Sequence, residues 1–190
     1  MNIAFFDLET TGVYAHYDAP IQISSVIIDD STGEQLASFN EYINTDHPIS
    51  PEASKVNGIT KEMLAGCRRE KEVLGDFIEW LITNDIDAIG GHNIVTFDIV
   101  MMKERLKLFN LSSKIFDNKK IIDTKELVMY CRKNNICQLK QLGRKWSLVA
   151  TAKLLNINTD KAHDALADVT MNYKIYTILS KARREYDANR

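Results

Sequence analysis

Asp7 and Glu9 lie one residue apart in Phe6-Asp7-Leu8-Glu9-Thr10-Thr11-Gly12, at the end of an apolar run that begins at Ile3. On a strand, residues i and i+2 share a face, so the two carboxylates project together while Leu8 turns to the other side. Carboxylates side by side repel unless a cation sits between them, which makes a hard divalent metal the natural occupant. A chain this rich in acids holds roughly one D-x-E by chance. The position at the end of a buried strand therefore carries more weight than the pair, and the plain alternative is a solvated strand end.

Two further segments carry acids. In Gly90-Gly91-His92-Asn93-Ile94-Val95-Thr96-Phe97-Asp98, an apolar run ends in two glycines, and a helix is expected to start with Thr96 as its N-cap. Asp98 then falls in the first turn, where it either only opposes the helix dipole or supplies a third inward acid. In His163-Asp164-Ala165-Leu166-Ala167-Asp168, five positions of continuous helix amount to about 140° of net rotation. His163 and Asp168 therefore converge only if His163 lies in the loop before the helix. Asp164 is then the expected cap and Asp168 the inward acid, whereas the plain alternative leaves His163 merely exposed. Four separated carboxylates and a loop histidine would suit two Mg²⁺ ions about 3.5–4 Å apart, with the histidine taking a proton from the attacking water.

The elements needed to position these groups are legible in outline. Ile3–Asp7, Ile21–Asp29 and Leu36–Ile43 read as three strands, the last two joined by the turn chemistry of Asp30-Ser31-Thr32-Gly33. Ser50-Pro51-Glu52 opens a short helix that Gly58 is placed to stop. Leu74, Phe77, Ile78 and Leu81 recur at i, i+3, i+4, i+7 and predict a helix over Glu70–Thr83. Ala88–Gly91 and Lys120–Asp123 read as buried strands, followed by helices over Phe97–Phe109 and Lys125–Lys133. Helices over Ser147–Leu155 and Ala165–Arg183 close the chain. The order β-β-β-α-β-α-β-α-α implies an α/β fold, a mixed sheet with helices on its faces, in a single domain over residues 1–190.

Composition narrows the function classes. The chain has 190 residues, 45% hydrophobic, with 24 basic and 26 acidic side chains for a net charge of −2. It is too apolar for a disordered chain and holds no run able to span a bilayer or serve as a secretory leader, so a soluble, intracellular (cytoplasmic) protein without membrane contact is expected. Cys67, Cys131 and Cys137 form no C-x-x-C pair, which argues against a disulfide framework or structural zinc site. A pI near 6.1 excludes a broad basic coat for nucleic acid, so any such partner is handled locally. Lys140, Arg144, Lys145, Lys181, Arg183 and Arg184 could guide a strand or simply be solvated. Met101-Met102 reads as core.

The three acidic segments resemble the motifs of the DEDDh group of 3′–5′ exonucleases. FDLETTG at 6–12, HNIVTFD at 92–98 and HDALADV at 163–169 match its first, second and third motifs in order. PISPEASKVNGIT at 48–60 is most like the connecting segment of the DNA polymerase III proofreading (epsilon) type, and Ile122-Asp123-Thr124 its later strand end. The resemblance implies a ribonuclease-H-like fold, a five-stranded mixed sheet flanked by helices with its second strand antiparallel. It also implies that Asp7, Glu9, Asp98 and Asp168 hold two divalent ions, Mg²⁺ or Mn²⁺, with His163 as general base. Leu8, Thr10, Thr11, Gly12, Asn57 and Phe97 would contact the 3′-terminal nucleotide, with the Thr11 amide and Glu9 on its 3′-hydroxyl. The implied activity is metal-dependent 3′–5′ exonucleolysis of single-stranded or frayed DNA that releases nucleoside 5′-monophosphates. The implied partners are nucleic-acid 3′ ends and a DNA polymerase, as in proofreading. One departure is Asn57, where the family often has histidine in V-H-G-I.

Other readings are an exoribonuclease of the ribonuclease T or oligoribonuclease type, a catalytically inactive 3′-end-binding polymerase accessory module, and a haloacid-dehalogenase-type phosphatase. The last wants D-x-D-x-[TV] and has no place for the His163…Asp168 element. An inactive module would have no need of the four acids and His163 that the chain retains.

Overall fold

The computed structural model describes residues 1–143, 147–160 and 164–190. Its strands are β1 (Asn2–Thr10), β2 (Pro20–Asp29), β3 (Gln35–Tyr42), β4 (Ala88–Gly91) and β5 (Lys120–Asp123). Among the described residues they form one sheet in the order β3-β2-β1-β4-β5. β2 runs antiparallel to β1 and β3, while β4 and β5 run parallel to β1. This is the mixed sheet with a reversed second strand that the ribonuclease-H-like fold requires. The helices are α1 (Pro51–Asn57), α2 (Lys61–Leu64), α3 (Glu70–Thr83), α4 (Asp98–Leu108), α5 (Ile115–Asn118), α6 (Thr124–Lys133), α7 (Leu148–Leu154) and α8 (Ala165–Ala188). None of the described helices is long and apolar enough to cross a membrane.

Alternation along β1 divides the core in two. Ala4, Phe6 and Leu8 pack with Val73, Leu74 and Phe77 of α3 and with Met101 and Met102 of α4. Ile3 and Phe5 point the other way, onto Val128 of α6 and Val169, Ile175 and Leu179 of α8. Each of the larger of these side chains contributes about 1.5–3 kcal/mol on full burial. Because side chains alternate, Asp7 and Glu9 continue the Ile3–Phe5 face and meet α8. α4 is tied to α3 by Arg105, which grips both oxygens of Glu70 (Nη2 to Oε2 2.7 Å) in a buried ion pair.

β4 pairs with β1 only from Ile3 to Phe5, so Asp7–Thr10 run on past its end. The C-terminal ends of the parallel strands β1, β4 and β5 thus open on one edge, where ligands of open α/β sheets bind. The two glycines at the end of β4 permit this: a Cβ on Gly91 would lie 2.4 Å from the Ile94 side chain, which folds back over it.

Several elements agree with the sequence. α3, β4 and β5 have the expected bounds. Ser50 caps α1 by accepting from the Ala53 N–H (3.1 Å), and Gly58 stops it at φ 72°. Others differ. β1 continues to Thr10 rather than ending at Asp7, because Asp7–Glu9 stay in register with β2. Thr96 is not the cap of α4: its hydroxyl turns back to Asn93 Oδ1 (2.9 Å), and Phe97 takes the cap position without a side-chain bond. α8 extends to Ala188, helped by Tyr130, whose hydroxyl donates to Asp187 (2.5 Å). α2 and α5 escaped sequence reading because four residues carry too little periodicity to register.

Candidate active site

Asp7 and Glu9 reach one face of β1, and α8 brings Asp168 to them. Asp164 caps α8 by accepting from the Ala167 N–H (3.0 Å), so Asp168 sits in the first turn and is 8% exposed. One ligand atom from each of Asp7, Glu9 and Asp168 lies within 4.8 Å of the others, an arrangement able to hold a metal ion. Asp98 is not in that triangle. It is the first residue of α4, buried to 5% exposure, and is the strongest charge acting on Asp7. His163 lies outside the described residues, as do Arg144 and Lys145.

The electrostatics are those of a cation site. Burial pushes Asp7 well above the ordinary carboxylate range, and Asp98, Asp168 and Glu9 add repulsion. Glu9 is pushed up to about 8 by burial and by Asp168, against a hydrogen bond from the Asn57 side chain that pulls it down. Asp98 is raised to about 7 by burial, although its own and the Leu8 backbone N–H groups favour its charged form. Acids held this close without a counter-charge favour protons, and a divalent ion would displace them.

Beside Glu9, a cavity of about 490 Å³ opens between the β1–β2 loop and α1, lined by Thr10, Gly12, Tyr14, Val56 and Asn57 among others. Of the residues expected to contact substrate, Thr10, Gly12 and Asn57 line it. Two others do not. Leu8 is 6% exposed and belongs to the core on the opposite face from the acids. Thr11 is fully buried, and its amide, expected on a 3′-hydroxyl, donates instead to Ala19 O (2.9 Å). An N–H committed within the fold is not available to a ligand. Phe97 is half-buried and packs against the core under the α4 start.

Two residues that sequence reasoning did not assign hold the loops of the site. Asp18 accepts from the Thr11 hydroxyl (3.0 Å) and the Tyr14 N–H (2.8 Å), closing the β1–β2 loop. Its carboxylate packs so near Gly12 that a Cβ there would lie 2.5 Å away. Asp123, at the end of β5, accepts from the backbone N–H groups of Asn93 (2.9 Å), Val95 (3.3 Å) and Lys125 (2.9 Å). It caps α6 and pins the segment that leads to Asp98. An acid just after a strand and before a helix was the available signal for Asp123; Asp18 offered none, because its partners are set by how the loop folds back.

Comparison with known proteins bears on this geometry. The model of one protein family, described as exonuclease, matches residues 4–176. The chain is 33% identical over 183 residues to a PolC-type DNA polymerase III of Latilactobacillus sakei, covering 96% of this chain and 12% of that protein. It is 32% identical over 185 residues to the DNA polymerase III subunit epsilon of Haemophilus influenzae, covering 92% of this chain and 65% of that one. The chain thus spans less than two thirds of the length of either relative. In fold it is similar to exonuclease I of E. coli, solved in complex with a dT13 oligonucleotide, with a TM-score of 0.81 at 21% identity over 98% of this chain and 43% of that chain.

Proposed function

The chain belongs to the exonuclease family, and from that premise we propose that it removes nucleotides one at a time from the 3′ end of single-stranded or frayed DNA, releasing nucleoside 5′-monophosphates. The observation that carries the reading is the convergence of Asp7, Glu9 and Asp168 within 4.8 Å, from two elements, with Asp98 beside them. Three hard oxygen donors under mutual repulsion fit divalent cations, and we assign Asp7, Glu9 and Asp168, with Asp98 completing the set, to two ions of Mg²⁺ or Mn²⁺. Such ions, when bound, neutralise the phosphate and lower the cost of the charge that develops on it.

The chain's own groups do the rest. Asp98 and Asp168 are held by the starts of α4 and α8, which pack on opposite faces of the sheet near the edge where β1 runs past β4. His163, in the segment before α8, accepts the proton of the attacking water. The cavity beside Glu9, lined by Tyr14, Val56 and Asn57, takes the terminal nucleoside. A continuous duplex must unstack to enter it, at a few kcal/mol per step, so frayed ends are preferred. DNA is favoured over RNA by the polymerase relatives and by the proofreading-type segment 48–60. The same relatives support action alongside a DNA polymerase.

The test is incubation with 5′-labelled DNA and RNA oligonucleotides in Mg²⁺, Mn²⁺ or chelator. A ladder of single-nucleotide losses from DNA, absent in chelator and blocked by a 3′-phosphate, is expected. Faster loss from RNA would move the chain to the exoribonuclease reading. Internal cuts in a circular single strand would overturn exonucleolysis, and binding of 3′ ends without turnover would make the chain an accessory module.

A further inference from the structure

Thr124, the first residue of α6, is fully buried, and its hydroxyl meets three groups from two other segments. It lies 2.6 Å from Asn172 Oδ1 on α8, 3.2 Å from the carbonyl of Gly91 at the end of β4, and 3.2 Å from His92 Nδ1 in the segment leading to Asp98. Asn172, 1% exposed, sits one helical turn beyond Asp168 on the same helix. We propose that the Thr124 hydroxyl, with Asn172 and His92, is a positioning group that fixes the segment carrying Asp98 against the helix carrying Asp168. The inference deepens the exonuclease reading of this site and rests on it.

A hydroxyl has one proton and two lone pairs. The 2.6 Å separation, short even for O–H···O, directs that proton chiefly to Asn172 Oδ1. The lone pairs then accept from His92, which must carry its proton on Nδ1. Burial holds the His92 ring down to about 4, so near pH 7 it is neutral with one ring proton, and the contact with the Thr124 hydroxyl places that proton on Nδ1. The result is a directional link, His92 to Thr124 to Asn172, between the two segments.

Packing alone would not supply it. α8 lies on the sheet through Val169, Ile175 and Leu179, and apolar contacts of this kind fix a distance but tolerate sliding and rotation. A valine at 124 would fill the same volume without burying a hydroxyl, and an aliphatic residue at 172 would spare the cost of an amide inside a helix. Directional bonds set rotation, and the relative placement of Asp98 and Asp168 needs it: a displacement of about 1 Å at reacting groups can cost on the order of 10²-fold in rate. Asp123 strengthens the same junction by pinning the Asn93 and Val95 amides next door.

The test compares Thr124→Val, Thr124→Ser and Asn172→Leu in the full chain. Mn²⁺ binding is measured by titration calorimetry without substrate, kcat and KM on 5′-labelled single-stranded DNA, and folding by thermal melts. Thr124→Val and Asn172→Leu are expected to weaken Mn²⁺ binding and lower kcat by about 10- to 100-fold with KM unchanged, the size seen when groups supporting metal ligands are removed. Thr124→Ser, which keeps the hydroxyl, should restore both. The double variant Thr124→Val/Asn172→Leu should be no worse than either single one, because the two share one link. Wild-type Mn²⁺ affinity in Thr124→Val, or Thr124→Ser as impaired as Thr124→Val, would overturn the proposal. So would unfolding of both Thr124→Val and Asn172→Leu, which would assign the link to stability alone. If wild-type protein cleaves neither DNA nor RNA, the exonuclease reading fails while the Mn²⁺ titrations still decide this one.

Discussion

The side-chain amide of Asn57, the last residue of α1, hydrogen-bonds the carboxylate of Glu9 on β1 and favours its charged form. The same side chain accepts from the Ile59 N–H (3.0 Å) and reaches the Thr10 carbonyl (3.4 Å), so its orientation is held from three sides. Where relatives by resemblance often carry histidine, this chain places a group that cannot titrate against a carboxylate that does.

That relationship yields the first prediction. Asn57→Ala removes a hydrogen bond that favours the charged form of Glu9, so protons compete better with metal there. Mn²⁺ affinity at pH 7 should fall by about tenfold. The gap between variant and wild type should close once pH rises well above about 8, where Glu9 is ionised in wild type. Calorimetric titrations at pH 7 and 9.5 check this, and a gap that is constant with pH would assign the loss to α1 packing instead.

Metal-free protein should lose stability as pH rises. Asp7, Glu9 and Asp98 all have folded-state values raised above their unfolded ones of about 4. Between those limits the folded state binds more protons than the unfolded state, so the stabilisation present at low pH is lost as pH climbs from about 4 through about 7 to 8. Tm in chelator should therefore decline from pH 5 to pH 8, and Mg²⁺ should raise it more at pH 8 than at pH 5. A chelated Tm that climbs across this range would contradict the assigned shifts.

Substitutions at the acids and the histidine should separate by role. Asp7→Ala or Asp168→Ala removes a ligand and should abolish both turnover and tight Mn²⁺ binding. His163→Ala should keep metal and DNA binding and lose about 10²–10⁴-fold in kcat, the usual size of a general-base contribution. Near-normal turnover by His163→Ala at neutral pH would require another base.

Gly12 and Asp18 should behave as a coupled pair. Gly12→Ala forces its Cβ to 2.5 Å from the Asp18 carboxylate and should destabilise the chain by about 1–3 kcal/mol through overpacking. Asp18→Ala frees the Thr11 hydroxyl and the Tyr14 N–H and should be destabilising too, by about 1–3 kcal/mol. With the carboxylate gone, Gly12→Ala should cost little more, so the double variant should fall well short of the two losses added together. Additive losses in urea unfolding would show that the crowding is relieved by other means.

Much of this molecule was legible before any tertiary contact was known. Period-2 alternation puts Asp7 and Glu9 on one face of β1, and the cap chemistry of Asp164 sets Asp168 in the first turn of α8, because both follow from local backbone geometry. Glycine at 58 and the apolar spacing of α3 mark their boundaries for the same reason. What the neighbours decide was not legible. Whether Thr11 offers its amide to a ligand depends on the Ala19 carbonyl that the β1–β2 loop brings back to it. Leu8 is buried because α3 and α4 cover that face of the sheet. The sequence places Thr124 only at the Ile122-Asp123-Thr124 strand end, and the partner of its hydroxyl depends on α8 setting Asn172 against it. Residue type and spacing determined which acids this chain has and which way they face along their own elements. Only the packing of β1, α4 and α8 decided that Asp7, Glu9 and Asp168 meet while Asp98 stands beside them, since hydrogen bonding and burial between distant segments depend on where the rest of the chain comes to lie.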